Sequence, residues 1–174
     1  RLGFVEAAEL MGASFRVEPD ATRSAIELTG SLGTSHRGLT GANIGGATTL
    51  RAIDEVPILA VLATQAVGRT HISGAAELRV KESDRLNVMA RVLTAMGARV
   101  EERPDGLVID GPTPLHGAEV DAELDHRIAM ATAIAALIAD GPTRIRGADA
   151  AAVSYPAFFE TLENLAGPGT ISVE

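Results

Sequence analysis

Three stretches of the chain carry apolar residues at three- and four-residue spacing and then stop at a glycine. They read ELMGA at 9–13, TAMGA at 94–98 and NLAG at 164–167, which puts the glycines at 12, 97 and 167, in steps of 85 and 70. Glycine after a periodic run marks a helix C-terminus, since without a Cβ it enters the left-handed conformation that ends the helix. A β-rich stretch follows each glycine, at 14–18, 99–103 and 170–173. Turns at Pro19-Asp20 and Pro104-Asp105-Gly106 then predict a hairpin in the first two cases.

A second element recurs between these. Residues 54–67 (DEVPILAVLATQAV) and 125–139 (DHRIAMATAIAALIA) are Ala-rich and apolar on nearly every face, so each predicts a buried helix. Each opens with an Asp, a residue whose carboxylate accepts early backbone N–H groups. Each ends at a glycine followed by a strand, at 68–74 and 141–147. The unit is helix, hairpin, strand, buried helix, strand; two copies are nearly complete and a third is only begun. This alternation predicts an α/β fold in which sheets cover a layer of buried helices, as one domain over 1–174. Residues 1–10 read as a helix already in progress behind Arg1, which with the incomplete third copy predicts a fragment.

Composition narrows the chemistry. The 174 residues are about one domain's length. A net charge of −8 argues against a nucleic-acid coat or a polybasic membrane anchor, because a basic face supplies the affinity in both. It leaves room for anionic small molecules, which need only a local cluster of positive charge. Aromatic residues at 3% leave no stacking platform for bases. The absence of cysteine excludes a disulfide framework, a thiolate zinc site and a cysteine nucleophile, and fits a cytoplasmic enzyme. The apolar run 56–67 is broken by Pro57, Thr64 and Gln65, so it does not reach membrane-spanning length.

Charges of both signs gather where helices are predicted to begin. Asp54-Glu55 opens one buried helix, Asp125-His126-Arg127 opens the other, and RVKESDR at 79–85 precedes the helix predicted over 86–96. A fourth start, Ser154-Tyr155-Pro156, has a capping hydroxyl and an early proline but no charge. Helix N-termini present unpaired N–H groups and the positive end of the macrodipole, which suits anions. Arg85 and Arg127 can each grip a carboxylate or phosphate in two-pronged fashion, and Lys81 adds a point charge. Asp54 and Glu82 are acceptors in the same neighbourhood, suited to acid–base work. The same residues also fit plainer roles: Asp54 and Asp125 as helix caps, Arg79, Lys81 and Arg85 as a solvated salt-bridge face, His126 as a packing residue. His36, His71 and His116 have no partner spacing, and the Gly-rich 41–46 segment (GANIGG) reads as a turn. No HExxH, GxSxG, Walker or GxGxxG pattern is present.

The segment LRVKESDRL at 78–86, together with DHRIAMA at 125–131 and IDEVPILA at 53–60, closely resembles the 5-enolpyruvylshikimate-3-phosphate synthase family. The resemblance spans essentially the whole chain. It implies an enolpyruvyl transferase-type α/β domain of repeated βαβαββ units, buried helices covered by mixed sheets. It also implies transfer of the enolpyruvyl group of phosphoenolpyruvate to the 5-hydroxyl of shikimate 3-phosphate, with no metal and no organic cofactor. Asp54 would contact the ring hydroxyls and accept a proton, Lys81 would bind near the same hydroxyl, and Glu82 would serve proton transfer at the methylene. Arg85 and Arg127 would hold the carboxylate and phosphate of phosphoenolpyruvate, with Asp125 and His126 orienting this corner.

Two departures qualify the resemblance. Many family members carry a Lys where Val153 stands, two residues before the Tyr155-Pro156 pair. Family enzymes are also two such domains, and the match covers only the C-terminal one. The expected partner is therefore the N-terminal domain of the same enzyme, with neither nucleic acid nor membrane, and the chain alone is expected to be inactive. Two alternatives share the fold: a non-catalytic anion-binding domain, and a UDP-sugar enolpyruvyl transferase, which relies on a Cys that this chain lacks.

Overall fold

The order of elements repeats in the computed structural model, which describes residues 3–19, 24–28 and 38–172. The first copy runs α1 (Gly3–Leu10), the hairpin β1 (Phe15–Pro19) and β2 (Ser24–Leu28), β3 (Asn43–Ile44), α2 (Gly46–Arg51), α3 (Val56–Thr64) and β4 (Gly68–Ile72). The second runs α4 (Arg85–Ala95), the hairpin β5 (Arg99–Arg103) and β6 (Gly106–Gly111), β7 (Leu115–His116) and β8 (Glu119–Asp121). It closes with α5 (His126–Leu137), β9 (Ala139–Asp140) and β10 (Arg144–Arg146). A last helix, α6 (Phe158–Ala166), begins the third copy.

Strand pairing follows the same repeat. β3 pairs parallel with β4 in the first copy, and β8 pairs parallel with β10 in the second. The β5–β6 hairpin of the second copy then extends the first copy's sheet, β6 lying antiparallel to β4 from Gly68↔Gly111 to Ile72↔Leu107. The result is mixed sheets over helices, as the alternation predicts. α3 and α5 pack against each other, and α3 also packs under β6. Leu59, Ala60 and Ala63 of α3 meet Ile128, Ala129 and Ala135 of α5 in one core with Ile72, Leu107 and Ile109 of the sheet. With so few aromatic residues, this core is made mainly of alanine and branched aliphatics, with Met11, Met89 and Met96, and the small side chains let helices approach closely.

The recurring glycines terminate α1 and α4 in the same way. Gly12 and Gly97 have φ of 89° and 92°, and the next residue closes the turn, Ala13 N–H to the Ala8 carbonyl at 3.0 Å and Ala98 N–H to the Leu93 carbonyl at 2.8 Å. A Cβ at Gly12 would also meet the Gly38 carbonyl oxygen at 2.7 Å. Gly167 likewise has a positive φ, 109°, but its own N–H bonds the Glu163 carbonyl and no strand forms over Thr170–Ser172. The strand expected over 170–173 is therefore absent from its described residues, and Val173 lies outside them. Asp20 of the first predicted turn and His36 also lie outside the described residues.

Helix starts differ most from expectation. Residues 54–67 are not one helix: Ile53–Glu55 forms a 3-10 turn, and α3 begins only at Val56 with Pro57 in its first turn. Asp54 therefore lies inside that turn, and the N-cap position of α3 falls to Glu55. Ser154 is not a cap either, since a 3-10 segment occupies Ala148–Val153 and α6 starts at Phe158 behind Ala157. Asp125 does cap α5, its carboxylate accepting from the N–H groups of Arg127 and Ile128. Asp84 caps α4 by accepting from Asn87 N–H.

Candidate functional site

The starts of α3, α4 and α5 meet at one end of the helical layer, and their charged residues join into a single network. Arg85, the first residue of α4, is its hub. The Arg85 side chain is 1% exposed; it donates from Nε to Asp125 Oδ2 at 2.7 Å, from Nη2 to Glu82 Oε2 at 2.6 Å and from Nη1 to Asp54 Oδ1 at 3.3 Å. A guanidinium taken out of water requires such a set, because the desolvation cost is offset only when its N–H groups are matched by carboxylates.

Asp125 is the fully buried member, at 0% exposure. Its Oδ2 accepts from Arg85 and from the Ser83 hydroxyl, at 3.0 Å, while Oδ1 accepts from Arg127 N–H at 2.9 Å. Burial pushes its carboxyl up, but the Arg85 hydrogen bond and charge, the Arg127 N–H and the Ser83 hydroxyl outweigh this and hold it below the usual carboxylate value. One carboxylate thus joins α4 to the first turn of α5.

Arg127 is more open, its side chain 23% exposed. Its Nη1 donates to the Asp54 backbone carbonyl at 2.9 Å and to Glu55 Oε1 at 3.4 Å, and Nη2 lies 3.5 Å from Asp54 Oδ2. Asp54 is held between the two arginines, in the 3-10 turn that precedes α3. Lys81 stands apart: its Nζ pairs with Glu77 Oε1 at 2.5 Å, and that contact raises its pKa. The charge of Asp54 reaches Lys81 and raises its pKa further, without a hydrogen bond between them. His126 is half-buried in the first turn of α5.

The network separates residues that sequence alone grouped together. Arg79 belongs elsewhere: it bonds Asp84, Glu102 and the carbonyls of Pro104 and Arg103, fastening the β5–β6 turn to the start of α4. Val153 is 81% exposed. Ser83 and Glu55 lie inside the quoted motifs without having been given a role there, and both join the site; only the fold brings Ser83 to Asp125, 42 positions away. Among the described residues, no group of three or more His, Asp or Glu is placed to hold a metal ion, and no helix is long and apolar enough to cross a membrane.

Comparison with known proteins shows what the chain as a whole is similar to. The sequence profile of EPSP synthase (3-phosphoshikimate 1-carboxyvinyltransferase) matches residues 3–162. A 3-phosphoshikimate 1-carboxyvinyltransferase of Crocosphaera subtropica is 54% identical over 167 residues, covering 96% of this chain and 37% of that protein. One from Synechococcus elongatus is 52% identical over 167 residues, with the same coverage of 96% and 37%. Among solved structures, an EPSP synthase of Acinetobacter baumannii superposes with a TM-score of 0.86 at 39% identity, over 96% of this chain and 39% of that one. The enolpyruvyl transferase NikO of Streptomyces tendae superposes with a TM-score of 0.71 at 25% identity, over 94% and 34%. The chain thus spans a little over a third of the length of the curated relatives it matches.

Proposed function

The chain belongs to the EPSP synthase family, and from that premise we propose that residues 1–174 form one domain of a two-domain cytoplasmic enzyme and supply one part of its site. The full-length protein transfers the enolpyruvyl group of phosphoenolpyruvate to the 5-hydroxyl of shikimate 3-phosphate. The hydroxyl oxygen adds to the enol carbon, its proton leaves, and another proton enters at the methylene. Loss of a methyl proton and of phosphate from the tetrahedral adduct restores the double bond. Asp54 is the acceptor for the hydroxyl proton, because its partly exposed carboxylate stands between Arg85 and Arg127 at the meeting of the helix starts. Glu82, whose side chain is 51% exposed, exchanges the methyl proton. Arg127, the less enclosed arginine, binds the anionic groups of phosphoenolpyruvate, and Lys81 reaches the ring hydroxyl once it leaves Glu77. Arg85 contacts the same anion when Glu82 swings off Nη2; Asp125 keeps it in place meanwhile. Asp125 and His126 orient the corner rather than react.

One observation carries this reading: Arg85, Arg127 and the partly exposed carboxylates Asp54 and Glu82 converge from separate helix starts in a single network, with Lys81 near enough for the charge of Asp54 to act on it. The same network supports the expectation that one domain alone is insufficient. Lys81, Arg85 and Arg127 are matched by five carboxylates, Asp54, Glu55, Glu77, Glu82 and Asp125. Two doubly charged or triply charged substrates cannot settle on a cluster whose own sum is negative, so further cations must come from the rest of the polypeptide. Phosphate release from shikimate 3-phosphate and phosphoenolpyruvate tests this. Turnover is expected from the full-length protein and none from residues 1–174; turnover by the shorter chain would refute the shared-site reading.

A further inference from the structure

Two of the residues given roles above lie on no regular element. Lys81 and Glu82 sit in the connection 81–84, between the 3-10 turn Ala76–Val80 and α4, where neither helix nor strand fixes the backbone. Val80, just ahead of them, is 81% exposed, so its side chain adds no anchor. Their own ion pairs, Lys81 to Glu77 and Glu82 to Arg85, must open before either side chain can act. A proton donor or acceptor has to stand within hydrogen-bond reach of its target, so this connection needs a support from outside.

Arg79 supplies it. The residue stands before the connection, and its Nη1 reaches past it to donate to Asp84 Oδ2 at 2.8 Å. Asp84 in turn caps α4, its Oδ1 accepting from Asn87 N–H at 3.1 Å. The rest of the guanidinium goes to the β5–β6 hairpin: Nη1 to Glu102 Oε1 at 2.8 Å, Nε to the Pro104 carbonyl at 2.7 Å and Nη2 to the Arg103 carbonyl at 2.6 Å. The hairpin holds both flanks of the connection as well. Glu102 Oε2 accepts from Asn87 Nδ2 at 3.0 Å, while Asp105 accepts from Gly74 N–H at 2.9 Å and from Ala75 N–H at 2.7 Å. With its bonds spread over these four acceptors, Arg79 has no two-pronged face left for a substrate anion.

We propose that Arg79 is a positioning residue: through Asp84 and the β5–β6 turn it fixes the 81–84 connection so that Lys81 and Glu82 meet the substrates. This rests on the roles given to those two side chains above. A planar guanidinium can span acceptors on two segments, whereas the N–H groups of an ammonium diverge from one point. Arg79 acts only through the residues it places, so its effect on turnover vanishes once Glu82 is gone.

A double-mutant cycle in the full-length enzyme tests this, on variants whose melts show them folded. Arg79→Lys should lower kcat about 10- to 100-fold, the scale of a displacement of about 1 Å. Glu102→Ala, which removes one anchor on the hairpin, should lower it less, and it carries the same cycle should Arg79→Lys fail to fold. In a Glu82→Gln background either change should cost less than about 3-fold in kcat, because residues acting as a unit do not add. Displacement of Lys81 should raise the KM for shikimate 3-phosphate and leave that for phosphoenolpyruvate within about 3-fold. Unchanged kcat in the folded variants, or the same fold-loss in both backgrounds, overturns the clamp and leaves the role of Glu82 standing. Near-normal turnover by Glu82→Gln alone overturns that role, and the proposal with it.

Discussion

Asp54 and Asp125 stand at equivalent points of the repeat and do opposite work. Both open an Ala-rich central helix in the sequence. Asp125 is buried, caps its helix and grips Arg85; its four hydrogen bonds leave it no further role. Asp54 sits in a 3-10 turn ahead of its helix, 27% exposed, between Arg85 and Arg127. The difference comes from a small backbone change: Val56-Pro57 begins α3 two residues late, so the carboxylate that would have capped it faces the cluster instead. The repeat thus holds two similar helix starts: one carboxylate is buried as scaffold, and the other is the proton acceptor in the function proposed above.

Substitutions at the two positions should separate accordingly. In the full-length enzyme Asp54→Asn should lower turnover by about 100- to 10,000-fold, the usual worth of a positioned acid or base. Its unfolding free energy should change by no more than about 1 kcal/mol, because the pair it loses is partly solvated. Comparable activity loss and unfolding in the same variant would erase the contrast.

Asp125→Ala should do the reverse, costing about 3–5 kcal/mol in denaturant unfolding, since it strands the buried Arg85 guanidinium and uncaps α5. Asp125→Asn keeps an acceptor for the helix N–H groups and loses the charge, so it should recover only the capping part. If Asn is as harmless as wild type, the Arg85 pair contributes nothing.

Acid titration sharpens the point. The Asp125 carboxyl titrates lower in the folded protein than in the unfolded chain, so its stabilisation is complete above the unfolded value and fades as pH falls through the folded one. The stability gap between wild type and Asp125→Asn should hold from pH 7 down to about pH 4 and shrink only below that. Melts of both proteins across this range check it; a gap that closes near neutrality would contradict the assignment.

The smallest effect is expected at the fourth predicted helix start. Ser154→Ala should change stability by less than about 0.5 kcal/mol, because Ser154 precedes a turn and caps no helix. A loss above about 1 kcal/mol, the typical worth of a cap, would restore the capping role.

Much of this protein was legible along the chain because its determinants are local. The glycines after α1 and α4, the hairpin turn at Pro104-Asp105-Gly106 and the all-round apolar helices each follow from backbone sterics and side-chain period, and each is present, although α3 begins at Val56 rather than Asp54. The family motifs were equally plain, since RVKESDR and DHR are contiguous. What tertiary structure alone decided is which charge meets which. Arg79 and Arg85 lie six residues apart in one motif, yet one fastens a hairpin and the other is buried among carboxylates from two other helix starts. Ion pairing depends on distance and desolvation, and neither is written in the order of residues.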